Sequence, residues 1–522
     1  MNKAAKYIIA FLNGRIRTSL INPEGVLKII LFQILILLMA NSCGVDRDQA
    51  DKVRVSVDWG NKVNISGSYA TLQVIPNPSH QQGSHLREPL WNSLRGLKAH
   101  YVRYSPWGIY PELKIAELKP PTPVRTYWDF SSLDPLFDYF MSAMEGRPVV
   151  MNYQAIPGWM FLDPRPEKPG KEIGSLFRDN SGMELAEYFA RIVAWYTKGG
   201  FRDENGKWHE SGHRYDLGIW EILNEPDHES IAMTKELYTS LYDAVVGEIL
   251  KVQPQMKFMG LSMANMNLAQ EWTSYFLDGN NHKPDVPVDY ISYHMYATLP
   301  GKNDSPELYP MNVFNQADNH LKTIGIVDSI RQKLSPDTRI DINESGILFR
   351  EPPAGWGRME GNSIDHSFWN LSAAYYAYIY AGLARMGVNI IGKSTLWSDP
   401  NDWPEVSLLN WNNGKPNARY HVLKLITENF GPGDVIVETV TDHSGDESQL
   451  LAQGFITSGG TRKILLVNKS KNTLKVRIPG CKAGTVSYVD QTTGFEPPAS
   501  MEISGSDMII RSFGVALLTL KR

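Results

Sequence analysis

The sequence predicts an α/β protein: a (β/α)8 barrel of the TIM type with a C-terminal antiparallel β-sandwich domain. Three observations carry the prediction. Between about residues 70 and 431, eight short β-prone runs alternate with stretches of helical period, the order that a closed parallel sheet requires. From about residue 432 the helical period stops, and short strands follow one another with turn residues between them. No G-x-G-x-x-G or P-loop follows the first strand, whereas an open doubly wound sheet built for a nucleotide would carry one there.

The chain opens with Lys3, Lys6, Arg15, Arg17 and Lys28, followed by an apolar stretch to Ala40. A basic region, an apolar run and small residues before a cleavage position describe an export signal over residues 1–43. Because the stretch runs out at Cys43, it resembles a bacterial lipoprotein signal whose cysteine becomes the lipidated first residue. Ala40-Asn41-Ser42 also passes as an ordinary small-x-small cleavage site, and an uncleaved membrane anchor is the third reading. The expectation is an exported bacterial protein, periplasmic or on the outer membrane or cell surface, meeting membrane only through a lipid anchor at Cys43. With two cysteines there is no disulfide framework, and Cys481, with no histidine near it in sequence, reads as an idle buried thiol.

Residues 44–69 read as a linker and N-terminal β segment, since 53–59 alternates like an exposed strand. Barrel strands are expected at 71–74, 100–104, 148–153, 217–223, 257–261, 289–294, 339–343 and 389–396. Helices are expected over 86–97, 133–144, 234–252, 313–334, 367–386 and 418–429. A further helix starts at Ser181, where Ser181 and Glu184 make a capping box and Leu185, Phe189, Ile192 and Tyr196 share a face. Residues 70–431 thus make the barrel and 432–522 the sandwich, with strands at 449–457, 463–468, 473–478, 485–490 and 514–520. The sandwich is expected to pack on the barrel, and the segment before residue 70 is a candidate further strand for it.

A net charge of −4 gives no reason to expect nucleic acid as a partner. The 14 Trp and 24 Tyr lean mildly toward sugar binding, which uses flat aromatic faces, although much of that number is core. The pointed signal is Leu217-Gly218-Ile219-Trp220-Glu221-Ile222-Leu223-Asn224-Glu225-Pro226, a buried-strand run that ends in Asn-Glu-Pro. Arg339-Ile340-Asp341-Ile342-Asn343-Glu344 delivers a second glutamate to a strand end. Two such carboxylates are the minimum equipment for cleaving a glycosidic bond.

In a barrel the working groups sit at the C-terminal ends of strands, where Glu225 ends the fourth and Glu344 the seventh. Asn-Glu-Pro after strand four, with a second Glu after strand seven, resembles the clan A glycoside hydrolases. The barrel, early β segment and C-terminal sandwich look most like family 39, which includes β-xylosidases and α-L-iduronidases, with family 30 the nearest competitor. The resemblance implies a retaining mechanism in which Glu225 is the acid/base and Glu344 the nucleophile. It implies that Arg103, in Tyr101-Val102-Arg103-Tyr104, supports the nucleophile. It implies contacts from His294 and Tyr296 on the sixth strand, and a sugar-subsite floor from Trp397 after the eighth. Asn224 can bond the sugar 2-hydroxyl.

The chemistry asks for the same roles. Glu344 must stay ionised, helped by Arg103 and the Tyr296 hydroxyl, while Glu225 must bring a proton to the leaving oxygen. No H-E-x-x-H or cysteine–histidine set is present, so neither metal nor other cofactor is expected. Each residue also has a bland reading: Glu225 as a helix-start acid, Arg103 as a barrel ion pair, His294 as satisfied structure.

Glu221 and Asp341 lie inside strands and are expected to pair in the barrel interior, with Lys393. Trp107 and Trp159 are candidates to line the cleft, and Arg350, Trp356 and Arg358 sit in the long loop after strand seven. Pro164, Pro166 and Pro169 are expected to narrow one end of the cleft and favour exo action. The sequence therefore predicts a retaining glycosidase, β-xylosidase-like or a related exo-enzyme, acting on an oligo- or polysaccharide. A non-catalytic glycan-binding surface lipoprotein, or a transglycosylase with the same residues, is the alternative.

Overall fold

The computed structural model describes residues 52–106, 110–162, 177–228, 231, 233–299, 309–349, 364, 366–400, 403–442 and 449–521. The export signal with Cys43, and Trp107, Pro164, Pro166, Pro169, Arg350, Trp356 and Arg358, lie outside the described residues.

A parallel sheet of nine strand segments makes the barrel, in the spatial order Tyr69–Ala70, Ile390–Ile391, Arg339–Phe349, Tyr290–Leu299, Lys257–Met263, Ile219–Ile222, Val149–Tyr153, Val102–Tyr104, Gln73–Val74. The two end segments are consecutive pieces of one strand, so the sheet is a ring of eight strands closed through residues 69–74. On one side Thr71 and Gln73 donate to the carbonyls of Ile391 and Lys393, each at 3.0 Å. On the other, Arg103 and Ser105 donate to the carbonyls of Leu72 and Val74 at 3.1 and 3.0 Å. Every residue of Val149–Tyr153 and Ile219–Ile222 is buried, as expected for strands with helices outside and packed side chains within.

Helices return the chain between strands, and their ends obey local chemistry. The Lys235–Val252 helix starts at Thr234, whose hydroxyl accepts from the Leu237 N–H at 3.2 Å. The Met183–Lys198 helix departs from the expected capping box: its N-cap is Gly182, with no side-chain cap. Asp179 takes that role instead, its carboxylate accepting from the N–H groups of Ser181 and Glu184, each at 2.9 Å, while Glu184 pairs with Arg178. A short helix, Ala269–Phe276, and a hairpin of Gly200–Arg202 with Trp208–Glu210 add to the expected elements. Of the run expected as the eighth strand only Ile390–Ile391 is regular; beyond it Ser394 and Leu396 donate to the carbonyls of Ser345 and Gln73.

The second sheet has nine antiparallel-paired strands, and the N-terminal strand Lys52–Ile65 lies inside it, paired with Val435–Asp442. Its residues alternate between two cores. In Arg462–Asn468, Ile464 and Leu466 join the sandwich's own core with Val55 and Leu518, while Leu465 and Val467 join the core shared with the barrel. Phe430, after the last barrel helix, meets Phe455 with ring centroids 4.3 Å apart. Cys481 is a buried free thiol.

Candidate active site

The fourth strand ends in a twisted turn. Leu223 and Glu225 both take left-handed backbone conformations, with φ of 60° and 49°, which cost about 1–3 kcal/mol each and survive only where surroundings hold them. Here the Leu223 carbonyl accepts from Asn152 Nδ2 at 2.7 Å, and the Glu225 N–H donates to the Ser262 carbonyl at 2.9 Å. Pro226 follows and has no N–H to offer a further ladder.

The seventh strand carries a bulge. Tyr293 pairs with Ile342 but His294 with Glu344, so Asn343 is an extra residue. Alternation alone would send Asn343 and Glu344 to opposite faces. The bulge lets both enter the barrel mouth: Asn343 Nδ2 donates to Glu221, and Glu344 reaches Arg103. The fifth strand is irregular at the same level, with Leu261 and Ser262 at φ of 79° and 49°.

Arg103 sits at the centre, 1% exposed. Its Nε donates to Glu221 at 2.6 Å; Nη1 donates to Glu344 Oε1 at 2.5 Å and Gln73 at 2.7 Å. Nη2 donates to Asn224 Oδ1 at 2.6 Å and Ser262 Oγ at 3.1 Å. All five guanidinium N–H groups therefore have acceptors. Tyr296 donates its hydroxyl proton to Glu344 Oε2 at 2.7 Å and also meets Ser394. Burial by itself would raise the Glu344 pKa, but the charges of His294 and Arg103 and the Tyr296 hydrogen bond outweigh it and hold the carboxyl below its ordinary value.

Glu225 stands opposite in a different setting, with 27% of its side chain exposed against 6% for Glu344. His294 links the two. Its Nδ1 is 2.7 Å from Glu225 Oε1 and 3.6 Å from Glu344 Oε2, and its Nε2 is 3.1 Å from Ser262 Oγ. Burial would lower its pKa; the two carboxylates raise it above the usual imidazole value instead. Asn224 gives its amide oxygen to Arg103 and Ser262, and its NH2 has no protein partner among the described residues.

Residues 214–345, which hold both glutamates, match the model of glycosyl hydrolases family 39. The protein is a glycosidase, most like glycoside hydrolase family 39. Solved structures that resemble the glycosidase include a GH51 arabinofuranosidase from Xanthomonas axonopodis pv. citri, at TM-score 0.63 and 12% identity, covering 90% of this chain and 100% of that one. An α-L-arabinofuranosidase from Thermotoga maritima matches at TM-score 0.60 and 14% identity over 90% and 100% of the two chains. The catalytic domain of GH30 xylanase C from Talaromyces cellulolyticus matches at 0.58 and 10% over the same shares. At these identities the likeness is one of fold. Among curated proteins none matches by sequence.

The structure of the glycosidase brings Arg103, Asn224, Glu225, His294, Tyr296 and Glu344 together. Trp397 is 3% exposed, with its ring edge-on to that of His80, centroids 6.4 Å apart. Trp159 donates to the Glu117 carbonyl at 2.9 Å. The expected pairing of Glu221 and Asp341 with Lys393 is corrected. Glu221 pairs with Arg103 and also accepts from Ser292 at 2.6 Å. Asp341 is buried with both carboxyl oxygens unpartnered, and burial pushes its pKa well up. Lys393 lies 4.7 Å over the Tyr376 ring, and burial drives its pKa far down.

Sequence reasoning missed Gln73, Ser262, Ser394 and Asn343 as parts of the site. The available signal was a polar residue at the C-terminal end of an otherwise apolar strand, read only where it was charged or aromatic. Glu225, His294 and Glu344 each offer a ligand atom within 4.8 Å of the others, a spacing that could hold a metal ion. In the glycosidase His294 Nδ1 bonds Glu225, and the Arg103 guanidinium, 2.5 Å from Glu344, opposes a second cation there.

Proposed function

We propose that the glycosidase works by retaining double displacement, with Glu344 as nucleophile and Glu225 as acid/base. The observation that carries this reading is the spacing: a carboxylate oxygen of Glu225 and one of Glu344 lie within 4.8 Å of each other. Retaining pairs stand about 5–5.5 Å apart, whereas inverting pairs need about 6.5–9.5 Å to admit a water between. The surroundings divide the roles. Glu344 is buried, ionised and aimed by Arg103 and Tyr296; Glu225 is half-open and linked to an imidazole.

In the first step a Glu344 oxygen bonds the anomeric carbon as the glycosidic C–O bond breaks, and the Glu225 proton passes to the leaving oxygen. In the second, Glu225 takes a proton from water as the water oxygen displaces Glu344 from the anomeric carbon. The Asn224 NH2 is the group offered to the sugar 2-hydroxyl. The family match and the arabinofuranosidase and xylanase likenesses favour a pentose glycon, with β-xylosides first. The test is hydrolysis of an aryl-glycoside and oligosaccharide panel by wild type, Glu344→Ala and Glu225→Ala, with product anomers followed by NMR. The expected result is retention, loss of about 10³-fold or more in each variant, and rescue by azide. Inversion, or turnover surviving Glu344→Ala, sinks the assignment.

Export is proposed on the 1–43 signal alone. Cell fractionation with labelled fatty acid should place the protein with membranes and lose the label in Cys43→Ala.

A further inference from the structure

Beside the carboxylate pair lies a cleft of about 460 Å³ that shares His294 and Tyr296 with it. It continues past the ends of the fourth and fifth strands to the helix Tyr309–Leu334. Its position relative to the two glutamates is informative. Glu225 delivers the proton to the leaving oxygen, so whatever is attached to that oxygen lies on the Glu225 and His294 side, away from Arg103. The cleft reaches His294, which bonds Glu225, and the Asp227–His228 segment just after it.

Its walls are built and polar. Gln316, Asn319, His320 and Thr323 follow the i, i+3, i+4, i+7 spacing and so present one polar face of the helix to the cleft. Gln316 fixes that face against the sixth strand: its Oε1 accepts from the Thr298 N–H and its Nε2 donates to the Thr298 carbonyl, both at 2.9 Å. Asn265 and Asn267 face it from the loop after the fifth strand.

The cleft's carboxylate is occupied. Asp227 accepts from the N–H groups of Ala264 at 2.9 Å and Asn265 at 2.7 Å, tying the fourth- and fifth-strand loops together. Among the described lining residues there is no Lys, Arg, Trp or Phe. His320 Nδ1 is buried without a partner. Burial brings the His320 pKa down to about 4, so the ring stays neutral and offers one donor and one acceptor.

We propose that this cleft is the leaving-group subsite, and that it takes a neutral, hydroxyl-rich sugar residue through hydrogen bonds from the Asn319 and His320 face of the helix and the Asn265–Asn267 loop. An anionic leaving group would find no Lys or Arg there among the described residues, and an aryl group no Trp or Phe. Amides, imidazole and hydroxyl match sugar hydroxyls.

The inference rests on the two-glutamate reading, and its test separates the two. The glycon that wild type accepts is supplied as its 2,4-dinitrophenyl glycoside and as a disaccharide. Wild type, Asn319→Ala, His320→Ala and the double variant are compared by the ratio of kcat/KM for disaccharide over aryl glycoside. The expected result is a fall of roughly tenfold or more in that ratio for the double variant, since each lost hydrogen bond costs a few-fold. An unmoved ratio, whether both substrates suffer equally or neither does, overturns the subsite. Measurable aryl turnover shows that the variants fold. Inversion by wild type, or activity surviving Glu344→Ala, would instead overturn the mechanism while leaving the ratio readable.

Discussion

Arg103 divides its charge between two carboxylates, Glu221 below it and Glu344 at the mouth. The nucleophile's ionisation is therefore set by what competes for Arg103 as well as by what touches Glu344. Two conservative changes should move it in opposite directions. Tyr296→Phe removes a hydrogen bond that favours the ionised form, so the acidic limb of kcat/KM should shift to higher pH, with kcat/KM falling tenfold or more. Glu221→Gln keeps the shape but removes the rival charge from Arg103, so the limb should shift to lower pH. The sign follows from the required state: Glu344 works ionised, its pKa is already depressed, and activity disappears as pH falls through that pKa. A pH–rate profile of the three proteins decides it, and shifts in the same direction would refute the shared-arginine account.

At the scale of elements, the placement of Glu344 depends on the Asn343 bulge, which in turn depends on the eighth strand coming close. Gly392 donates to the Ile342 carbonyl, and a Cβ there would stand 2.7 Å from the Asn343 carbonyl oxygen. Gly392→Ala must push the strands apart. The expected cost is about 1–3 kcal/mol in denaturant unfolding, with an activity loss larger than that of a matched change such as Gly279→Ala, where nothing lies within 4 Å. The bulge was not legible in sequence: Ile340-Asp341-Ile342-Asn343 alternates, the second polar residue in a row, Glu344, reads as a strand end, and only the partner strand reveals the extra residue. The barrel strands were legible because they are short, apolar and buried on both faces. Val435–Asp442, Ala499–Ser504 and Asp507–Ile510 were missed because their exposed residues blur the period, and Ala269–Phe276 because two turns give too little repeat. The site was read from its charged and aromatic members. Its neutral ones, Gln73 and Ser262, look like any polar strand end until Arg103 is seen to bind them.

For the whole molecule, the sandwich and barrel share an apolar core through Phe430, Phe455, Leu465, Val467, Val515 and Leu517. The Arg385–Glu438 ion pair at 2.7 Å sits at the half-exposed edge of that contact and adds little. Residues 70–431 expressed alone should therefore expose a large apolar face and aggregate, and the intact chain should melt in one transition by calorimetry. Two well-separated transitions would show that the sandwich is an independent appendage.

The strand Lys52–Ile65 finds its partner only at Val435–Asp442, and the barrel ring joins residues 69–70 to 390–391. Some 370 residues must be synthesised between Ile65 and Val435, which at about 5–20 residues per second takes roughly 20–70 s. Throughout that interval the strand Lys52–Ile65 lacks its Val435–Asp442 partner, and the barrel ring stays open until residues 390–391 are made. Both sheets therefore close late in synthesis, each waiting for a partner more than 300 residues downstream.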